Sequence, residues 1–173
     1  GYSVLADGRD DKNQKLGKAG GFIGEMSGTI IKNSDANLFN YIIGREAAGG
    51  YAGIMEPGNV ASVIEDAGIL DGLLNVTDSL ASLVQSFIPI IEDSQTSSVP
   101  CGGAVRADGI TDTPCVRGLA GGYVGYNHGG RIKGYAAEGG GKECATIRIR
   151  SVYGGEVGGG FNGLMETADL AGT

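Results

Sequence analysis

The sequence predicts a mainly β fold: a glycine-rich β-solenoid with an α-helical insertion around residues 59–94. Three observations predict it. Glycine supplies 34 of the 173 residues, far above the roughly 7% of an average protein. The chain aligns with itself at an offset of 101 residues. A short unit, Gly-Gly-aromatic-x-Gly, recurs four times between strand-like flanks.

The long repeat comes first. Residues 4–32, VLADGRDDKNQKLGKAGGFIGEMSGTIIK, lie without a gap over 105–133, VRADGITDTPCVRGLAGGYVGYNHGGRIK, with 13 of 29 pairs identical. The matches include Asp7/Asp108, Asp11/Asp112, Ile31/Ile132 and Lys32/Lys133 as well as glycines. Glycine bias alone does not place Asp, Ile and Lys in register.

The short unit sits inside it: AGGFIG (19–24), AGGYAG (48–53), AGGYVG (120–125) and GGGFNG (158–163). Met26, Met55 and Met165 follow at one position, where the third copy has Asn127. A turn comes next, then an aliphatic residue: Ile31, Val60, Ile132 and Leu170. Each unit reads as strand, tight turn, strand. Its aromatic (Phe22, Tyr51, Tyr123 or Phe161) and its aliphatic residue are expected in a shared repeat core, as a strand period of two requires. Glycine repeated at matching positions implies either turns at positive φ or coils stacked too closely for a Cβ. One coil cannot bury its own apolar face, but stacked neighbours can.

Between the repeats, residues 59–94 lose most of their glycine. Leu80, Leu83, Val84, Phe87, Ile88 and Ile91 follow the spacing of an amphipathic helix, with Thr77 or Asp78 as its cap and Pro89 ending or kinking it. The expected organisation is one repeat-built domain: a first solenoid section over 4–58, the helical insertion over 59–94 folding back on a core face, and a second solenoid section over 99–173. Gly1 stands where an initiator Met would, so a processed product or a section of a longer protein is expected.

The stretch AGGYVGYNHGGRIKGYA (120–136) resembles the Glug motif, GG-[LFY]-[VIA]-G-x-N-x-G-x-I, of large secreted and wall-attached bacterial proteins. The resemblance is strongest there, clear over 19–33 and weaker over 47–60 and 157–170. It implies a right-handed, parallel β-helix-like solenoid and a structural or adhesive role on the bacterial cell surface. It brings no catalytic residues with it.

Chemical motifs are sparse. A net charge of −7 disfavours nonspecific nucleic-acid binding and docking on anionic membranes, and no apolar run reaches the ~18 residues a bilayer span needs. No nucleotide-binding glycine loop is present: no helical pattern follows any Gly-Gly-aromatic unit, and no G-x-x-x-x-G-K-[ST] occurs. The aspartates of ADGRDD and ADGITD (Asp7, Asp11, Asp108 and Asp112) are weak calcium candidates without the full twelve-residue loop; Asx turns capping the loop are the simpler reading. Cys101 and Cys115 bracket a turn-rich segment. A disulfide there would contribute about 3 kcal/mol in the chain-entropy model, buried free thiols are the alternative, and Cys144 is left single. His128 has no partner at metal-ligand spacing.

The expected function is therefore structural: a section of an extracellular bacterial stalk, adhesin or fibre subunit, not an enzyme, without a cofactor. Its expected partners are neighbouring coils, further copies of the same protein, or a host glycan or protein. The runners-up are a carbohydrate-active solenoid enzyme using Arg106, Asp108, Arg131 and Lys133, and a binding module using Tyr126, Tyr135 and Tyr153.

Overall fold

The computed structural model describes residues 1–6, 8, 17–58, 87–100, 103–109, 117–134 and 147–167. Of these, 62% lie in strands and none in a helix. Every strand pair in the four sheets is parallel.

The chain makes four circuits. The first contains β1 (Tyr2–Ala6), β2 (Lys18–Gly20), β3 (Ile23–Ser27) and β4 (Ile30–Lys32). The second contains β5 (Ala36–Gly44), β6 (Ala47–Gly49), β7 (Ala52–Glu56) and β8 (Ile90–Glu92). The third contains β9 (Thr96–Ser98), β10 (Ala104–Ala107), β11 (Leu119–Gly121), β12 (Val124–His128) and β13 (Arg131–Lys133). The fourth contains β14 (Ile147–Arg148), β15 (Ser151–Gly154), β16 (Val157–Gly159) and β17 (Asn162–Glu166). Sheet A joins β14-β9-β5-β10-β15, with β1 also on β5. Sheet B is β16-β11-β6-β2, sheet C is β17-β12-β7-β3, and sheet D is β13-β8-β4. Each circuit thus visits the sheets in one order and lays its strands beside those of the circuit before.

The register turns the repeated unit into columns of equivalent residues. Met26, Met55, Asn127 and Met165 are successive partners in sheet C, as the unit alignment requires. Gly20, Gly49, Gly121 and Gly159 are successive partners in sheet B. One core cluster holds Met26, Tyr51, Met55, Ile91, Tyr123 and Val124, with Ile31, Ile132 and Phe161 packed against it. A second holds Ala19, Phe39, Ile42, Ala48, Val105 and Ala120 between sheets A and B.

The close-packing explanation of the glycines holds at the Gly-Gly-aromatic-x-Gly units, because none of their glycines is among the positive-φ residues. A Cβ on Gly49 would collide with the carbonyl of Ala52, and one on Gly50 with the carbonyl of Gly122 in the next circuit. On Gly125 it would lie 2.7 Å from the carbonyls of Ala48 and Gly53. The first glycine permits the corner between sheets B and C, the second the contact between circuits, and the third the close approach of sheet C to the backbone of sheet B. Positive φ occurs instead at Gly28 and Gly129, in the turns between sheets C and D.

Two expectations are corrected here. The helical insertion does not extend through residue 94, because Ile90–Glu92 forms β8 and pairs with β4 and β13. Pro89 removes a helix donor, and Ile90 N donates to Thr29 O at 2.9 Å, so the chain re-enters the sheet directly after the proline. The second-circuit place beside Ile31 and Ile132 also belongs to Ile91, not Val60. Residues 59–86 of the expected insertion, with Val60, lie outside the described residues. Of the residues that flank them, Gly58 N donates to Phe87 O at 2.9 Å.

Candidate functional site

The feature common to all four circuits is the corner between sheets B and C. There Phe22, Tyr51, Tyr123 and Phe161 form one stack, with centroid separations of 5.1, 5.1 and 5.0 Å and interplanar angles of 13°, 3° and 8°. A backbone ladder runs beside the rings: Phe22 N donates to Tyr51 O (2.9 Å), Tyr51 N to Tyr123 O (2.9 Å) and Tyr123 N to Phe161 O (2.8 Å). Its direction is fixed, because each circuit donates to the next. Tyr51 and Tyr123 are fully buried, and the Tyr123 hydroxyl donates to Ser94 O at 2.9 Å. Buried Thr96 Oγ1 lies nearby, donating to Gly50 O at 2.7 Å.

The outer rings of the stack are less buried than the inner two, Phe161 being half-buried. Phe22 is 47% exposed in the first circuit. In the fourth, Met165 is 66% exposed, whereas Met55 at the same position in the second is 0%.

A second candidate lies along sheets B and C, over a third, smaller core cluster. Ala47, Ile54 and Leu119 form a buried cluster there, with Tyr126, Val157 and Leu164 packed on it. Charged groups border it. Lys18 bonds Glu25 at 2.7 Å, Arg117 bonds Glu156 at 2.8 Å, and the Tyr126 hydroxyl donates to Glu166 at 2.7 Å. The ring of His128 stacks on that of Tyr126 at 5.6 Å. Burial and the Glu166 carboxylate together push the Tyr126 hydroxyl up to about 12. Burial raises Glu56, and a hydrogen bond with the Glu25 side chain raises it further, against the opposing pull of Lys18 and His128. Burial likewise raises Glu46, partly offset by Lys18.

Sequence reading missed this carboxyl row because its members come from different circuits. The signal was present in the unit alignment: Ser27 partners Glu56, and His128 partners Glu166, at one position of the repeat.

The four residues expected to converge for polysaccharide chemistry do not form one group. Arg106 pairs with Asp108 on sheet A and lies 5.2 Å from the Tyr153 ring. Arg131 and Lys133 lie in β13 of sheet D, with Lys133 3.9 Å from Glu92. Of the calcium candidates, Asp108 is half-buried in its pair with Arg106, while Asp7, Asp11 and Asp112 lie outside the described residues. So do Cys101, Cys115, Cys144, Tyr135 and Leu170. No group of three or more His, Cys, Asp or Glu suited to a metal occurs among the described residues.

No protein family, no curated protein and no solved structure matches this chain.

Proposed function

We propose that the chain is a section of a parallel β-solenoid, a structural or adhesive part of an extracellular bacterial surface protein. The aromatic stack carries this reading. Four rings from four circuits keep one spacing and one orientation, so each circuit serves as the template for the next. Parallel strands about 4.8 Å apart make such a body elongate by simple repetition. Its glycine columns let neighbouring strands and circuits approach closely, as suits a repeat-built stalk or spacer. The sequence resemblance to Glug-motif surface proteins points the same way.

The test is to label intact cells of the producing organism with antibody against the chain. Surface labelling is expected, together with weaker attachment to host material when the chain is deleted. Labelling only after permeabilisation would reject the surface role.

One observation favours a second reading, a carbohydrate-active solenoid: the hydrogen-bonded carboxyls of Glu25 and Glu56 beside Lys18 and His128. Turnover of an acidic or neutral polysaccharide, lost in Glu56→Gln, would select it over the structural reading.

A further inference from the structure

We propose that the outer face of sheet A binds carboxylated glycans, the acid group held at Arg150 and the sugar rings laid on exposed tyrosines. This rests on the adhesive reading above and adds the place and the chemical class of the ligand.

Strand alternation makes the face. Ile42 and Val105 are partners and turn into the core at 0% exposure, so their neighbours Tyr41 and Arg106 turn outward. Tyr41 is 54% exposed and Tyr153, in the fourth circuit, 57%. Tyr41 partners Ala104, which partners Ser151, just before Val152 and Tyr153. Small residues therefore lie between the two rings, which stand about 10 Å apart across the strands. Exposed apolar groups gathered on one face mark interaction sites. The face runs along the stack of circuits, so any further circuit would lengthen it without covering it.

A cavity of about 520 Å³ opens on the N-terminal side of the same strands. Leu38 of β5 precedes Tyr41 there, and Arg150 precedes β15. Leu38, Val99 and Pro100 give the cavity apolar walls, while Ser97 and Arg150 give it polar groups. Apolar walls with a few placed polar groups are the make-up of a small-ligand site. Leu38 adds an independent sign. Its φ is 63°, in the left-handed region that side chains disfavour, yet it is 55% exposed and gains no burial in return. Strain of this kind collects at ligand sites.

Charge and shape select the ligand. The chain carries a net charge of −7, yet Arg150 is the only charged group among the described residues that line the cavity. A guanidinium presents a planar fork of donors that matches a carboxylate. Arg106, beside Tyr153, is balanced by Asp108, so an anion is drawn to the cavity and not to the tyrosines. The Ser97 hydroxyl donates to Asn37 Oδ1 at 2.8 Å, which leaves its oxygen to accept from a sugar hydroxyl. Sugar rings carry C–H faces that suit the negative face of a tyrosine ring. A protein partner would call for a large desolvated anchor pocket at the centre, where this face has Ala104 and Ser151.

Calorimetric titration of the full chain with a galacturonate oligomer, sialyllactose, and the neutral sugars maltoheptaose and lactose tests this. The carboxylated sugars are expected to bind about tenfold more tightly than the neutral ones, and the tighter of the two tells a uronic from a sialic source. Arg150→Gln is expected to erase that preference, and Tyr41→Ala to weaken all binding about tenfold, with thermal midpoints unchanged. If Arg150→Gln lowers the midpoint, Arg150→Lys, which keeps the charge but not the fork, replaces it. Equal affinity for neutral and carboxylated sugars, or a preference that survives Arg150→Gln, overturns the inference. So does attachment of the chain to host cells that persists after their glycans are removed, which would indicate a protein partner. Absent sugar binding with surface labelling intact rejects this site alone and leaves the surface reading standing.

Discussion

Replacing Gly50 by Ala tests the packing of circuits, because Gly160 holds the same place in the last unit with nothing above it. At Gly50 an added Cβ would collide with the carbonyl of Gly122 and lie 2.9 Å from Ile149 Cδ1 and 3.2 Å from Thr96 Cγ2. The first obstacle is backbone, so rotamer changes cannot relieve it. The second and third circuits must separate locally, weakening the Gly50 N to Gly121 O bond (3.3 Å) and the Tyr51–Tyr123 stack. Overpacking of this kind costs about 1–3 kcal/mol, and the disturbed ring pair adds about 0.5–1.5 kcal/mol. Against this, alanine restricts the unfolded chain by about 0.4–1 kcal/mol. The net expectation for Gly50→Ala is a loss of roughly 2 kcal/mol, or about 4–8 °C in thermal midpoint for a chain of this size. At Gly160 a Cβ meets nothing within 4 Å, so Gly160→Ala is expected to be neutral or to stabilise by up to about 1 kcal/mol. Urea unfolding followed by circular dichroism measures both. Equal losses at the two sites would refute the stacking explanation, since the motif position is shared and only the overlying circuit differs.

Three other perturbations have definite outcomes. Tyr123→Phe keeps the ring stack but strips the donor from buried Ser94 O, and urea unfolding should register a loss of about 1–2 kcal/mol. Asn127→Met restores the methionine column yet removes the acceptor of the 2.8 Å bond from Gly130 N; a net loss of about 1 kcal/mol is expected in the same assay, and a gain would show that side-chain burial outweighs the turn. Glu56 is held above its usual range by burial and the Glu25 hydrogen bond. Its proton is therefore favoured in the folded state, and stability is lost as pH rises through the folded value. Glu56→Gln should raise the thermal midpoint at pH 7 relative to wild type, and the advantage should vanish below about pH 4; an advantage independent of pH would contradict this.

Much of the fold is legible in the sequence because equivalent residues are chemically alike. Met26, Met55 and Met165 take the partners that the unit alignment gives them, and Asn127 sits where the alignment places it. The 101-residue offset is equally informative but skips a circuit: it matches the first with the third, and Tyr51 lies between Phe22 and Tyr123. The second-circuit aliphatic was misplaced for a physical reason. Its strand resumes only at Ile90, so Val60 was merely the nearest aliphatic along the chain. Phe87, Ile88 and Ile91 fit a helical stripe by spacing, but spacing does not weigh the parallel partners that wait in β4 and β13. The carboxyls beside Tyr126 were overlooked because Glu25, Glu56 and Glu166 come from three circuits; the unit alignment puts Glu56 and Glu166 at one repeat position, but only the stacking of circuits brings that position beside Tyr126.

The order of the rings is the most direct test of the account. Nuclear Overhauser contacts among ring protons of selectively labelled Phe and Tyr should link Phe22 to Tyr51, Tyr51 to Tyr123 and Tyr123 to Phe161, with none between Phe22 and Tyr123. A direct Phe22–Tyr123 contact, or Tyr51 isolated from both, would contradict it.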